Sequence, residues 1–294
     1  MVGPISVVVR RGGVVEATHR VHAVAVESDG TTVVFGEPKL VTLLRSSAKP
    51  FQALPLARAY DDLDQRELAI ASASHLADPA QLDAVRMLLE RAGADEDDLE
   101  CGPVGHPPSR LNHNCSGKHA GMLAACRANG WPTEGYRLSD HPMQRQNLRD
   151  VADAARIDEA AIPLAVDGCG VLTFGLRLEE MAAMFPRLET TPEGKSVADA
   201  MRAHPDLLRG PDATDTLLMK AIPGAVAKGG AEGLICGMLP NGIGFAAKCE
   251  DGHSRALRPA LARLAEAAGT PLPEFVEVPI SNSRGEQIGT LAAV

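Results

Sequence analysis

Aromatic residues are scarce in this chain: one Trp, two Tyr and six Phe among 294 residues. Asp and Glu outnumber Lys and Arg by 38 to 29, so the chain has few surfaces for base stacking and the wrong charge for a polyanion. Nucleic acid is excluded as a partner. No apolar run reaches the ~18 residues of a membrane span, and Met1-Val2-Gly3-Pro4-Ile5 carries no basic stretch leading into an apolar one. The expectation is a cytoplasmic protein with no membrane partner. The six cysteines (Cys101, Cys115, Cys126, Cys169, Cys236, Cys249) are too dilute for a disulfide scaffold and read as reduced thiols. Repeats, low-complexity stretches and long interior linkers are missing as well, while 45% hydrophobic and 23% charged residues are globular values. One domain spanning 1–294 is expected. Lysine is also rare, at seven of the 29 basic residues. Arginine keeps its proton under all ordinary conditions, whereas a buried lysine can give its proton up, so each of the few lysines is a candidate base or ligand.

What is present falls into three stretches. Ile5 to Arg10, Val14 to Val26 and Thr31 to Phe35 are valine-rich and roughly alternating, broken at Gly12-Gly13 and Asp29-Gly30; the spacing predicts a three-stranded antiparallel meander. From Pro50 to about Arg91 the apolar residues recur at helical spacing, with Pro79 suited to the first turn of a new helix, and two or three helices are predicted there. Cys101 to Asn114 is rich in Pro, Gly and His and reads as irregular, while Lys118 to Asn129, Pro142 to Ala155 and Ser196 to Ala203 read as helices. Short strands follow over Ala225 to Lys228, Gly233 to Met238 and Gly242 to Lys248, then a helix over Ser254 to Ala268 and strands over Val276 to Ile280 and Ile288 to Ala293. This order predicts an α/β fold in which one antiparallel sheet is built from both termini and flanked by helices.

Ser46 and Lys49 in Arg45-Ser46-Ser47-Ala48-Lys49-Pro50 have the S-x-x-K spacing of serine acyl-enzymes. On a helix these positions share a face, and a neutral lysine can take the proton of a serine hydroxyl. The bland alternative is Ser46 as a helix cap beside a solvated lysine. Ser74 in Ala73-Ser74-His75 and Lys228 in Ala227-Lys228-Gly229-Gly230 follow in the order of a second serine and a K-[ST]-G-like element; alone, each reads equally as a cap or an edge-strand lysine. Lys248 is the runner-up for the second lysine. Asn114-Cys115-Ser116-Gly117-Lys118-His119 and Asp167-Gly168-Cys169-Gly170 bring two thiols and an amine into glycine-flanked turns, a set that suits zinc or two buried structural cysteines. Asp167 is a candidate for gripping a substrate ammonium.

These strings, with His141-Pro142 and Ala231-Glu232-Gly233, resemble the Rhizobium-etli-type (class 3) L-asparaginases from about residue 4 to residue 268. The resemblance implies a β-lactamase-like α/β fold, a homodimer, and hydrolysis of L-asparagine to L-aspartate and ammonia. It implies Ser46 as nucleophile with Lys49 as its base, Ser74 and Lys228 as a second Ser-Lys pair, and zinc held by Cys115, Lys118 and Cys169. Arg45, Asn114, His119 and Asp167 would complete the substrate pocket, with zinc aiding binding without supplying the nucleophile. Leu76-Ala77-Asp78 after Ser74-His75, Gly229 after Lys228 and Leu172 after the Asp-Gly-Cys-Gly turn depart from the family pattern. Two other readings of the same residues are a β-lactamase-like or peptidase-like Ser-Lys hydrolase and a non-catalytic, zinc-stabilised amino-acid-binding protein.

Overall fold

The computed structural model describes residues 2–27, 30 and 32–294. The strands are β1 (Ile5–Arg11), β2 (Val14–Val26), β3 (Thr32–Phe35), β4 (Val41–Leu43), β5 (Leu164–Val166), β6 (Leu172–Arg177), β7 (Val226–Gly230), β8 (Leu234–Met238), β9 (Gly244–Cys249), β10 (Glu277–Ser281) and β11 (Gln287–Ala293). The main sheet is antiparallel throughout, in the order β10-β11-β1-β2-β9-β8-β7, with β3 added beside β2. Strands from the two ends of the chain therefore form one sheet, as the valine-rich segments predict. β2 joins the two halves, its first part lying against β1 and its second against β9 and β3. Of the expected second hairpin break, Asp29 lies outside the described residues, as does Thr31, the first residue of the expected third strand.

The helices are α1 (Lys49–Gln52), α2 (Leu54–Ala59), α3 (Gln65–Ala71), α4 (Pro79–Ala92), α5 (Ser116–Ala128), α6 (Pro142–Ala155), α7 (Leu178–Met184), α8 (Pro192–Ala203), α9 (Pro205–Leu208), α10 (Thr214–Ala221), α11 (Leu257–Ala267) and α12 (Pro273–Val276). Residues 49–92 hold four helices where two or three are expected, because Pro50, Pro55 and Pro79 each open a new one. The α6 boundaries are those the sequence predicts, with the His141 side chain accepting the Met143 N–H at its start. A second sheet, β4-β6-β5, was not expected. Two of its strands have only three residues, and β6 is buried along nearly its whole length and so shows no alternation.

α5 carries the Ser-Gly-Lys-His string and is buried from Ser116 to Cys126. A Cβ on Gly117 would stand 2.3 Å from the Ile70 carbonyl oxygen, and one on Gly121 would stand 3.0 Å from the Ala71 Cβ. These two glycines let α5 lie directly on α3. The motif that begins α5 is thereby brought against the residues that follow α3, Ser74 and His75.

Candidate active site

The segment after β4 enters a short 3₁₀ turn over Arg45–Ala48 that runs straight into α1. Arg45 has φ of 49°, a left-handed conformation that costs a non-glycine residue about 1–3 kcal/mol. It is held there on both sides: its N–H donates to Thr173 Oγ1 at 2.9 Å, and its Nε donates to Asp167 Oδ1 at 2.8 Å. The strained residue presents Ser46, half-buried, on the wall of a cavity of about 690 Å³ that also includes Asn114.

Lys49, three residues on, is buried, and its Nζ meets Ser74 Oγ at 2.9 Å, the Ala73 carbonyl, and the Asn114 carbonyl at 3.4 Å. Burial, helped by the nearby charges of Lys118 and Lys228 against the opposing pull of Cys115, brings its pKa down to about 8. A lysine so placed is a base near neutral pH. The Lys49 N–H donates to the Ser46 carbonyl, but among the described residues no side-chain hydrogen bond joins Lys49 to Ser46, and none joins Ser74 to Lys228. The expected pairing of the second serine is thus different here: Ser74 is bonded to Lys49. Lys228, also fully buried, donates to Asp215 Oδ2 at 3.3 Å and to the Gly229 carbonyl at 3.1 Å. Burial lowers the Lys228 pKa, with Asp215 opposing; burial of Asp215 opposes its charge, but Lys228 and the Gly229 N–H outweigh this and lower its pKa. Asp215, on α10, escaped the sequence analysis because neither it nor its helix carries a motif. Lys248 spends its amine on the Glu232 and Cys249 carbonyls at 2.6 and 2.5 Å, and reads as a turn residue.

The three expected metal ligands are together. Lys118 Nζ donates to Cys169 Sγ at 3.0 Å, and Cys115 lies near both, all three residues being buried. The neighbouring Cys169 thiol holds Cys115 well below the usual thiol range, with Lys49 and Lys118 adding to it, and Cys115 in turn pushes Cys169 up. Burial disfavours charge on Lys118, but Cys169 and Cys115 outweigh it and raise its pKa. Two convergent thiols and an amine fit tetrahedral zinc, provided the amine loses its proton on binding. Among the described residues, the triplet of His, Cys, Asp or Glu close enough to share an ion lies elsewhere, at His19, Cys249 and Asp251.

The remaining pocket residues are placed more unevenly. Asp167, expected to hold an ammonium, already accepts from Arg45 Nε and from the Gly168 N–H at 2.7 Å. His119 is fully buried, its Nδ1 2.8 Å from the Tyr136 hydroxyl, while its Nε2 has no partner. Burial keeps its pKa well below the usual imidazole range. His75 is neutral for the same reason, at about 4. Its Nδ1 accepts the Ala77 N–H, so Nε2 donates to Ser116 Oγ at 2.8 Å, tying the Ser74 segment to the start of α5.

The model of the L-asparaginase II family matches residues 7–293. The chain belongs to the L-asparaginase II family. That makes it an amidohydrolase. Among solved structures, this family member is similar to a probable glutaminase from Bacillus subtilis complexed with 6-diazo-5-oxo-L-norleucine, at 14% identity and a TM-score of 0.40, with 86% of this chain and 85% of that one covered. Mglu in its native form is 15% identical at a TM-score of 0.38, with 86% of this chain and 66% of that one covered. No curated protein matches it.

Proposed function

We propose that this amidohydrolase is an L-asparaginase in which Ser46 attacks the side-chain amide of L-asparagine and Lys49 accepts the serine proton. The observation that carries the reading is the state of Lys49: fully buried, poised near pH 8, and bonded to a second serine, on the turn that presents Ser46 to the cavity. Ser46 Oγ bonds to the amide carbon, the C–N bond breaks, and the proton held on Lys49 leaves with ammonia. Water then cleaves the seryl ester and releases aspartate. Ser74, 2.9 Å from Lys49 Nζ, fixes the amine and offers a hydroxyl through which the proton can pass. Lys228 acts from a distance as a cation that keeps the Lys49 pKa low. Cys115, Lys118 and Cys169 would hold zinc, which when bound supplies a positive charge for the polar end of the substrate. The protein is read as a cytoplasmic homodimer, and no helix among the described residues is long and apolar enough to cross a membrane.

Ammonia release from L-asparagine and L-glutamine, with and without added zinc, tests this reading. The wild type turns over asparagine, Ser46→Ala and Lys49→Ala abolish turnover while keeping the fold, and chelation raises KM more than it lowers kcat. Silence of the wild type under every condition, together with asparagine binding that survives Ser46→Ala, would replace the enzyme by a binding protein.

A further inference from the structure

The cavity beside Ser46 shares Asn114 with the groups expected to hold asparagine and extends away from the others. Its walls include Asn114, Gly229, Arg209, Arg255 and Arg258, but not Arg45, Asp167, Cys115 or Cys169. A volume of about 690 Å³ is in the range that takes drug-sized ligands, far more than one asparagine fills. If the α-amino and α-carboxyl ends of asparagine lie on the Arg45–Asp167 side, its amide nitrogen faces this space.

Arg255 is built into the cavity wall. Its Nε donates to His19 Nε2 at 2.9 Å, and His19, only 4% exposed, donates from Nδ1 to Asp251 Oδ2 at 2.5 Å. Asp251 is in turn fixed by the Cys249 thiol at 2.9 Å and the His253 N–H at 2.9 Å. Both ring nitrogens of His19 are therefore spent on this relay, which accounts for the His19–Cys249–Asp251 triplet without an ion. Gripped through Nε, the Arg255 guanidinium keeps its two Nη groups for a ligand. Among the described residues neither Arg255 nor Arg209 has a carboxylate within ion-pair distance, whereas Arg11 is paired with Glu16, and Arg258 donates to the Asp212 carbonyl. Asp212 and Glu232 share the cavity wall, so the two free guanidinium groups offer a local, directional anion site and not a general positive field. A forked guanidinium held from behind matches a carboxylate.

We infer that this cavity is a leaving-group subsite and that the protein also hydrolyses N-substituted asparagines whose amine carries a carboxylate, β-aspartyl dipeptides being the simplest. This rests on the proposed Ser46 chemistry. Ser46 Oγ bonds to the β-carbonyl carbon, the C–N bond breaks, the departing amine takes the serine proton by way of Lys49 and leaves as a free amino acid, and one water cleaves the ester to give L-aspartate. Arg255, with Arg209, binds the carboxylate of the departing amino acid; His19 and Asp251 are positioning residues that act through Arg255.

Release of alanine from β-aspartyl-alanine is measured beside release of ammonia from asparagine and of methylamine from N4-methylasparagine. The expected result is cleavage of the dipeptide with kcat/KM at least tenfold above that of the methylamide, which lacks the carboxylate. Arg255→Ala and His19→Ala lower the ratio of dipeptide to asparagine kcat/KM tenfold or more, mainly through KM, and Arg255→Lys and His19→Gln recover part of it. If ammonia is released from asparagine but the dipeptide is not cleaved, or if Arg255→Ala lowers both substrates equally, the subsite is overturned while the asparaginase reading stands. If the wild type releases no ammonia from asparagine, that reading fails, and calorimetric binding of β-aspartyl-alanine decides the subsite: loss in Arg255→Ala supports it, and unchanged binding overturns it.

Discussion

Replacing Lys49 by methionine separates what the lysine does for the fold from what it does for chemistry. A lysine that titrates near 8 when folded and near 10.5 when unfolded costs the folded state about 3 kcal/mol at neutral pH. Methionine removes that cost in nearly the same volume. It also strips a donor from the Ala73 carbonyl and from Ser74 Oγ, both in a buried setting, at about 1–3 kcal/mol for each group left unpaired. The two contributions nearly offset, so Lys49→Met is expected to unfold within about 2 kcal/mol of the wild type at pH 7. Ammonia release should fall by a factor of about 10² to 10⁴, the usual worth of a positioned base. The pH dependence has a definite sign. Below pH 8 the folded lysine is charged and the wild type bears the full cost. Between 8 and 10.5 the unfolded chain binds the extra proton, so the wild type gains about 1.4 kcal/mol per pH unit relative to the variant. Urea denaturation of both proteins from pH 7 to 10 measures this, and kcat/KM of the wild type should rise through a midpoint about 8. A stability difference that does not change with pH, or a variant that turns over asparagine within about tenfold of the wild-type rate, would refute the reasoning.

Two further substitutions probe the packing around the site. Gly117→Ala should gain about 1 kcal/mol of helix propensity in an open helix, but here its Cβ would meet the Ile70 carbonyl at 2.3 Å and Ile70 Cγ1 at 2.8 Å, contacts with backbone and a buried side chain that cannot swing aside. It is expected to destabilise by about 1–3 kcal/mol, read as a lowered urea midpoint, and to raise KM as α5 moves with Lys118. Asp215→Asn breaks a fully buried ion pair and should cost about 3–5 kcal/mol at pH 7 in the same assay. Because pairing lowers the Asp215 pKa, the cost is fully present above the ordinary carboxylate range and shrinks as the pH falls through it.

Much of the main sheet was legible because its strands alternate or end at turn residues, and α6 because His141-Pro142 marks its start and the apolar spacing its length. The small sheet was not. β4 and β5 are too short to show a period, and β6 is buried on both faces and contains Gly175. α10 was missed because its first turn, Thr214-Asp215-Thr216, reads as a polar loop until Asp215 is seen buried beneath Lys228.

The site divides along the same line. Ser46, Lys49, Ser74, Cys115, Lys118 and Cys169 stand in short strings whose residue types already imply chemistry, and the packing of α5 on α3 through Gly117 and Gly121 is what brings several of those strings together. The partners that tune them have no such mark. Asp215 meets Lys228 because α10 packs beside β7, and His19 meets Asp251 because β2 and β9 are in register at Val21 and Cys249, two residues before each reaches the relay. Sheet register aligns residues far apart in the chain and leaves no local pattern, so a carboxylate that fixes a lysine, or a histidine that aims an arginine, stays hidden until the strands are paired. The groups that react were written in motifs, whereas the groups that set their charge and direction were written only in the pairing of distant elements. For that reason the subsite at Arg255 could not be reached from the sequence, although every residue in its relay was in plain view there.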